Sequence, residues 1–344
     1  MTSGFLVSPR WDGAFILGPP LLCAALSLAI PPGVEGGFAA WLLLVVAIDV
    51  AHVWSTLYRT WLDPVERSSR QTLLIATPLV AAAGCISLSV AAPTWFWTAL
   101  AYLAVFHFLR QPIGFAALYR LRAGLPPRDA EARLERVALT ALMLGPVIWW
   151  HSRLPRPFAW FTADDFLVGL PAPVGDAALA VAAALGIAWA AARWRSRRRN
   201  PGGDLWVLGT AATWWIGIVF ARSDLAFTLT NVVAHGIPYL ALVGWVGGRR
   251  WATVPPGPAR AAWFSGPGWL AFAIVPLVFA IGEEWLWEGL VWGENALSST
   301  SLRLAIGFLA VPQVTHYLLD GFLWKLGPSN PTLQAAVSGA RGTG

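Results

Sequence analysis

The sequence predicts an all-α, polytopic membrane bundle of about ten spans, a single integral membrane domain over residues 1–344 with both termini in the cytoplasm. Three observations carry that reading. Hydrophobic residues make up 57% of the chain and charged residues only 12%, against roughly a quarter charged in an ordinary soluble domain; the mean hydropathy is +0.59. Apolar stretches of about 20 residues, the length that crosses a bilayer core, recur from end to end. Arginines gather in alternate connections between them. The net charge of +6 therefore reads as loop topology in a bacterial inner (cytoplasmic) membrane and excludes a nucleic-acid partner.

Taken in order, the stretches fall at approximately 14–31, 37–58, 72–91, 95–119, 134–151, 174–194, 204–221, 225–247, 269–291 and 302–324. The first follows Arg10 without a clear small-residue cleavage site and reads as a retained span. The even-numbered connections and their flanks are basic: Arg59, Arg67 and Arg70; Arg120, Arg122, Arg128, Arg133 and Arg136; Arg193, Arg195, Arg197, Arg198 and Arg199; Arg249, Arg250 and Arg260. The odd-numbered ones are poorer, with Arg153 and Arg156 the main exception, so the positive-inside rule puts both ends inside. Arg59 and Arg120, at inner ends of their spans, are expected to snorkel to the headgroups. The longest outer connection, 152–173, has Trp160, Phe161 and Phe166 beside Asp164 and Asp165 and suits a loop lying at the interface. Cys23 and Cys85 sit inside apolar stretches without CxxC spacing and read as packing residues.

Chemistry concentrates at the histidines, of which there are five. His151, beside Trp149 and Trp150 at an outer boundary, belongs to an interfacial aromatic belt. His52, His107, His235 and His316 lie on spans two, four, eight and ten, all running from outside to inside. They stand about 15, 12, 10 and 14 residues from the outer ends, a depth spread of about 8 Å at 1.5 Å per residue. Imidazoles at one level are what a shared site requires, and polar groups in a membrane-length helix are costly unless they pair or bind something. Asp49 precedes His52 by three, Asn231 precedes His235 by four, and Asp320 follows His316 by four, so each pair shares a helix face. Gln313 shares the face of His316 and Asp320. A carboxylate there serves as a ligand or orients the imidazole through its second N–H. Pro112, Pro238 and Pro312 lie close by, and each is expected to remove a helix hydrogen bond and open a kink.

Imidazole with carboxylate suits a metal ion, iron first, with zinc or copper as alternatives. As a ligand class, the four single histidines are similar to the four-histidine iron of the carotenoid-cleaving oxygenases. A second constellation is GEEWLWEGLVW at 282–292. There Glu284 and Glu288 share a face while Glu283 points away, which makes Glu284 the candidate for proton transfer. Arg110, three residues after His107 and deep in its span, is the other catalytic candidate, expected to pair with Asp49 or Asp320 or to hold a substrate anion. No HxxxH, HExxH, GxSxG, P-loop or GxGxxG motif occurs. These residues predict a metal-dependent oxidoreductase acting on a lipid-soluble small-molecule substrate that enters from the surrounding membrane lipid. Proton-coupled transport through the same histidines and acids, and haem-based electron transfer, are the alternatives. Oligomeric state is not legible.

Overall fold

In a computed structural model of the chain the described residues are 4–155, 165–252, 262–264, 266–293, 299–327 and 330–338. Helix makes up 82% of the structure, and no strand occurs among the described residues. The long helices are α1 Pro9–Leu28, α2 Phe38–Arg59 and α3 Gln71–Ala91; α4 Pro93–Arg122 and α5 Ala130–His151; α6 Ala172–Arg195, α7 Pro201–Phe220, α8 Asp224–Trp251, α9 Trp269–Trp292 and α10 Ser299–Leu323. Eight of them, all but α4 and α5, are long and apolar enough to cross a membrane. At 30 and 22 residues, α4 and α5 have the length. Their polar content is higher: His107, Arg110 and Gln111 interrupt α4, and Glu131, Arg133, Glu135 and Arg136 crowd the start of α5. Large apolar side chains point outward along the spans, Leu79, Val80, Ile187 and Val278 each being more than half exposed. That exterior fits a surrounding of lipid tails.

Local chemistry sets the helix starts. Ser8 Oγ accepts from the Trp11 amide at 3.2 Å, Pro9 occupies the first turn, and Asp12 accepts from the Leu6 and Val7 amides at 2.6 and 2.9 Å. Helix α1 therefore begins well before the apolar run itself. Asp129 caps α5 by accepting from the Ala132 amide at 2.7 Å.

The chain divides into two compact units. The first comprises the described residues of 1–40 and 105–238. In it α5 lies along α6, and α7 packs on α1. Small residues form the α5–α6 seam: a Cβ added at Gly145 would stand 2.6 Å from the Ala182 methyl, and one at Gly186 would stand 3.0 Å from Leu142 Cδ2. Close approach of this kind is how helices associate where lipid gives no hydrophobic drive. Phe166 is buried against Trp150 and His151, with ring centroids 4.7 and 5.3 Å apart. Trp160, Phe161 and Asp164 of the expected interfacial loop, with Arg156 and Arg260, lie outside the described residues.

The second unit comprises the described residues of 41–104 and 239–344. There α10 packs on α3 and α9 on α2. Ala81, Cys85, Phe96, Ala310 and Val314 form one core cluster, and Val46, Ala51 and Ala280 another. Cys23 and Cys85 are buried free thiols, as their apolar setting predicts.

One expectation is corrected in the first unit. Arg120 does not snorkel; it is buried, with its guanidinium 3.0 Å from Asp129 and 3.7 Å from Glu135. The acids that hold it come from the cap and first turns of α5, which fold back over the end of α4. The Ala132 amide holds the Asp129 carboxyl below its ordinary value; desolvation opposes it, and Arg198 and Arg120 add to the lowering.

Two predictions follow from this packing. Gly145→Leu should overpack the α5–α6 seam and cost about 1–3 kcal/mol, read as a lowered Tm in detergent. A depressed carboxyl contributes stability above the ordinary aspartate pKa of about 4 and loses it as pH falls through the lower folded value. Asp129→Ala should therefore lower the Tm near neutrality and flatten its fall below about pH 4.

Candidate metal centre

In the first unit His107 comes from α4 and His235 from α8, and both are buried. Their Nε2 atoms stand 3.1 Å apart and their ring centroids 5.0 Å apart. Two nitrogens each about 2.0–2.1 Å from one tetrahedral ion would be about 3.3 Å apart, so this spacing fits two ligands of one cation. It also fits a single N–H···N hydrogen bond. The two states are exclusive, because a cation takes the place of the shared proton.

Several neighbours hold this pair in place. Phe108 stacks on the His235 ring at 4.1 Å, and Gln111 Nε2 donates to the His235 carbonyl at 2.9 Å. Pro238 lies inside α8, and the missing N–H disturbs the helix ladder at this point. Pro112 lies inside α4, and its carbonyl accepts from Trp206 Nε1 at 3.0 Å. Asn231, expected to face His235, instead donates to the Phe227 carbonyl and to Thr230 Oγ1, at 3.3 and 3.0 Å. Its turn, Thr228–Val233, is wound as π-helix. Asn231 and His235 nevertheless line one small cavity. A cavity of about 20 Å³ remains beside them, lined by Gln111, Thr210, Thr213, Thr230, Asn231 and His235 among others. Its lining mixes polar and apolar groups, and it has room for about one water.

In the second unit His52 comes from α2 and His316 from α10, again both buried. Their ring centroids are 4.9 Å apart and meet edge to face. The i, i+3 and i, i+4 spacings hold: His52 Nδ1 is 3.3 Å from Asp49 Oδ1, and His316 Nε2 is 3.8 Å from Asp320 Oδ2. Gln313 Nε2 donates to the Tyr317 hydroxyl at 2.6 Å. Within α10, Pro312 sits in the first turn of the segment Val311–Leu323, just past a break at Ala310. The stretch leading to His52, Trp41–Val50, is also π-wound.

Two residues here carried no signal as isolated letters in the sequence. Thr56 Oγ1 is 2.7 Å from His316 Nδ1. The Tyr239 hydroxyl donates to Asp320 Oδ1 at 2.7 Å, and its ring centroid lies 5.4 Å from that of His52 and 5.2 Å from that of His316. Trp324 Nε1 donates to both Asp320 Oδ1 and the Tyr239 oxygen, at 3.2 Å each. Thr56 follows His52 by four, so the helical spacing that selected Asp49 would also have found it.

The two catalytic candidates occupy less enclosed positions. Arg110 is exposed on α4, its guanidinium 5.9 Å from the Phe106 ring centre. Glu284 is half-buried on α9. Its neighbour Glu283, expected to point away, accepts from Trp54 Nε1 at 2.6 Å. The face of α9 turned to α2 is set by fully buried Ala280, and Glu283 lies one turn further along that face.

Arg59 is the second corrected arginine. It is fully buried, 3.8 Å from Asp63 and 3.9 Å from Glu66, with Trp324 5.1 Å beneath its guanidinium. Arg250 joins the same acids at 2.8 and 3.1 Å, and Arg70 reaches Glu66 at 3.2 Å. A short helix, Pro64–Ser69, capped by Asp63, supplies these carboxylates at the end of α2. No family model, curated protein or solved structure matches the chain.

Removing one acid from this set leaves buried guanidinium charge uncompensated. Glu66→Gln should therefore destabilise the protein by about 3–5 kcal/mol, measured as loss of folded protein on heating in detergent.

Proposed function

We propose that the chain is a ten-span inner-membrane protein, with both termini cytoplasmic, acting as a metal-dependent oxidoreductase on a lipid-soluble substrate. His52, His107, His235 and His316 are the ligands, with Asp49 and Asp320 as further ligands or as groups that orient the imidazoles. The reading is carried by one observation: each unit, taken by itself, buries two of these histidines in ring contact. Burying one imidazole in apolar surroundings is ordinary; placing two nitrogens 3.1 Å apart is what a cation site needs. Nitrogen donors with a carboxylate suit iron, and such an iron supplies one-electron and oxygen chemistry when open positions remain. The large apolar side chains exposed along the spans support a substrate that arrives from the bilayer.

Haem fits the first pair less well. Axial ligands lie on opposite faces of a porphyrin, whereas the His107 and His235 nitrogens are at hydrogen-bond distance with nothing between them. Transport has one observation in its favour, the imidazole–carboxylate pairs His52–Asp49 and His316–Asp320, which could pass protons.

Metal analysis of detergent-purified protein separates these readings. Stoichiometric iron without a Soret band is the expected result, and alanine at each of the four histidines should strip most of it. A Soret band would favour haem. Metal-free protein with pH-driven flux would favour transport, and undiminished iron in any two histidine variants would sink the four-ligand set.

A further inference from the structure

We propose that Thr56 and Tyr239 are positioning residues for the metal centre, a one-way chain of hydroxyls that selects the tautomer of His316 and aims Asp320 beside it. The inference rests on the metal reading above and deepens it. Its parts all lie in the second unit. His316 Nδ1 is 2.7 Å from Thr56 Oγ1, Thr56 Oγ1 is 3.4 Å from the Tyr239 oxygen, and the Tyr239 oxygen is 2.7 Å from Asp320 Oδ1. The other carboxylate oxygen, Oδ2, stands 3.8 Å from His316 Nε2, which closes the loop.

What each group is able to do fixes the direction at Tyr239 and Trp324, and the directions at Thr56 and His316 are the proposed ones. An ionised carboxylate only accepts, so the Tyr239 hydroxyl proton goes to Asp320. The Tyr239 oxygen then accepts, and Trp324 Nε1, which only donates, is 3.2 Å from it. In the proposed arrangement Thr56 gives its proton to the same oxygen, 3.4 Å away, and its own oxygen accepts from Nδ1–H of His316. An imidazole protonated at Nδ1 carries its lone pair on Nε2, the nitrogen that faces Asp320 Oδ2. The opposite tautomer would instead turn an Nε2–H toward the carboxylate, a contact that becomes a hydrogen bond once the 3.8 Å separation shortens. The hydroxyl chain thus decides between a sealed His–Asp contact and two adjacent donor atoms aimed at a cation. Thr56 and Tyr239 are both buried, so water does not readily substitute for either.

Full-length protein in detergent, labelled with ¹⁵N-histidine, reads the tautomer without any metal, and titration with Co(II) reads the affinity. Wild type should hold His316, assigned by its loss in His316→Ala, as the Nδ1–H form. Thr56→Val should shift it toward Nε2–H and weaken Co(II) binding by about 10- to 100-fold, while Thr56→Ser keeps both properties. Tyr239→Phe, which cuts the chain at its middle, should weaken binding in the same direction. Wild-type binding with Thr56→Val unchanged in both readouts would overturn the positioning role and leave the metal reading standing. Wild type that ignores Co(II) would overturn the metal reading instead. An Nε2–H form of His316 in wild type would overturn the hydroxyl chain whatever the metal does.

Discussion

A polar group lowered among apolar helices has no water to fall back on, and its partner must come from the protein. Much of the functional architecture of this chain answers that constraint. His107 meets His235, His316 meets Thr56 and Asp320, and Arg59 and Arg120 each meet two acids. Such groups are expensive as individuals and tolerable as closed sets. That is why they concentrate at a few places on otherwise apolar helices.

Close backbone approach is the complement of those sets. Gly145 against Ala182, and Gly307 against the backbone of α3 at Ile86, let helices come near enough for side chains on neighbouring elements to meet at hydrogen-bond distances. A seam of larger residues would hold the same helices farther apart. The buried bonds would then stretch by more than their geometry allows. Fold and site therefore share one requirement: small residues where helices touch, polar residues only where a partner waits.

Helix positions were legible because length and hydropathy repeat in the sequence at the scale of a bilayer, and spacing put four imidazoles at a similar depth, but which of them meet is tertiary information. Asp49 with His52 and Asp320 with His316 followed from spacing alone. The misreadings have physical causes. Arg59 and Arg120 sit where snorkelling is normal, but acids in the next short element turn back over them, and that turn is tertiary information. Glu283 and Glu284 are adjacent letters, and spacing tells which residues share a face without telling which face turns inward. Asn231 lines the same small cavity as His235, while its amide donates within its own helix, a choice of partner that spacing does not reveal. Thr56 and Tyr239 are unremarkable types in a membrane helix, and the bonds to His316 and Asp320 are what give them weight.

The π-wound stretch ahead of His52 has a consequence for how this site tolerates insertion and deletion. Wide turns hold a surplus of residues relative to an α-helix, so that stretch behaves like slack in a line. Losing a single residue there would let the backbone tighten toward α-winding without breaking the helix, and the residues beyond would keep close to their present facing. His52 would stay on the side it shares with His316. The same loss from the α-wound segment that carries His316 has no such slack and would turn everything beyond it by about 100° around the axis, so the two helices that meet at this pair differ in how strictly their lengths are set.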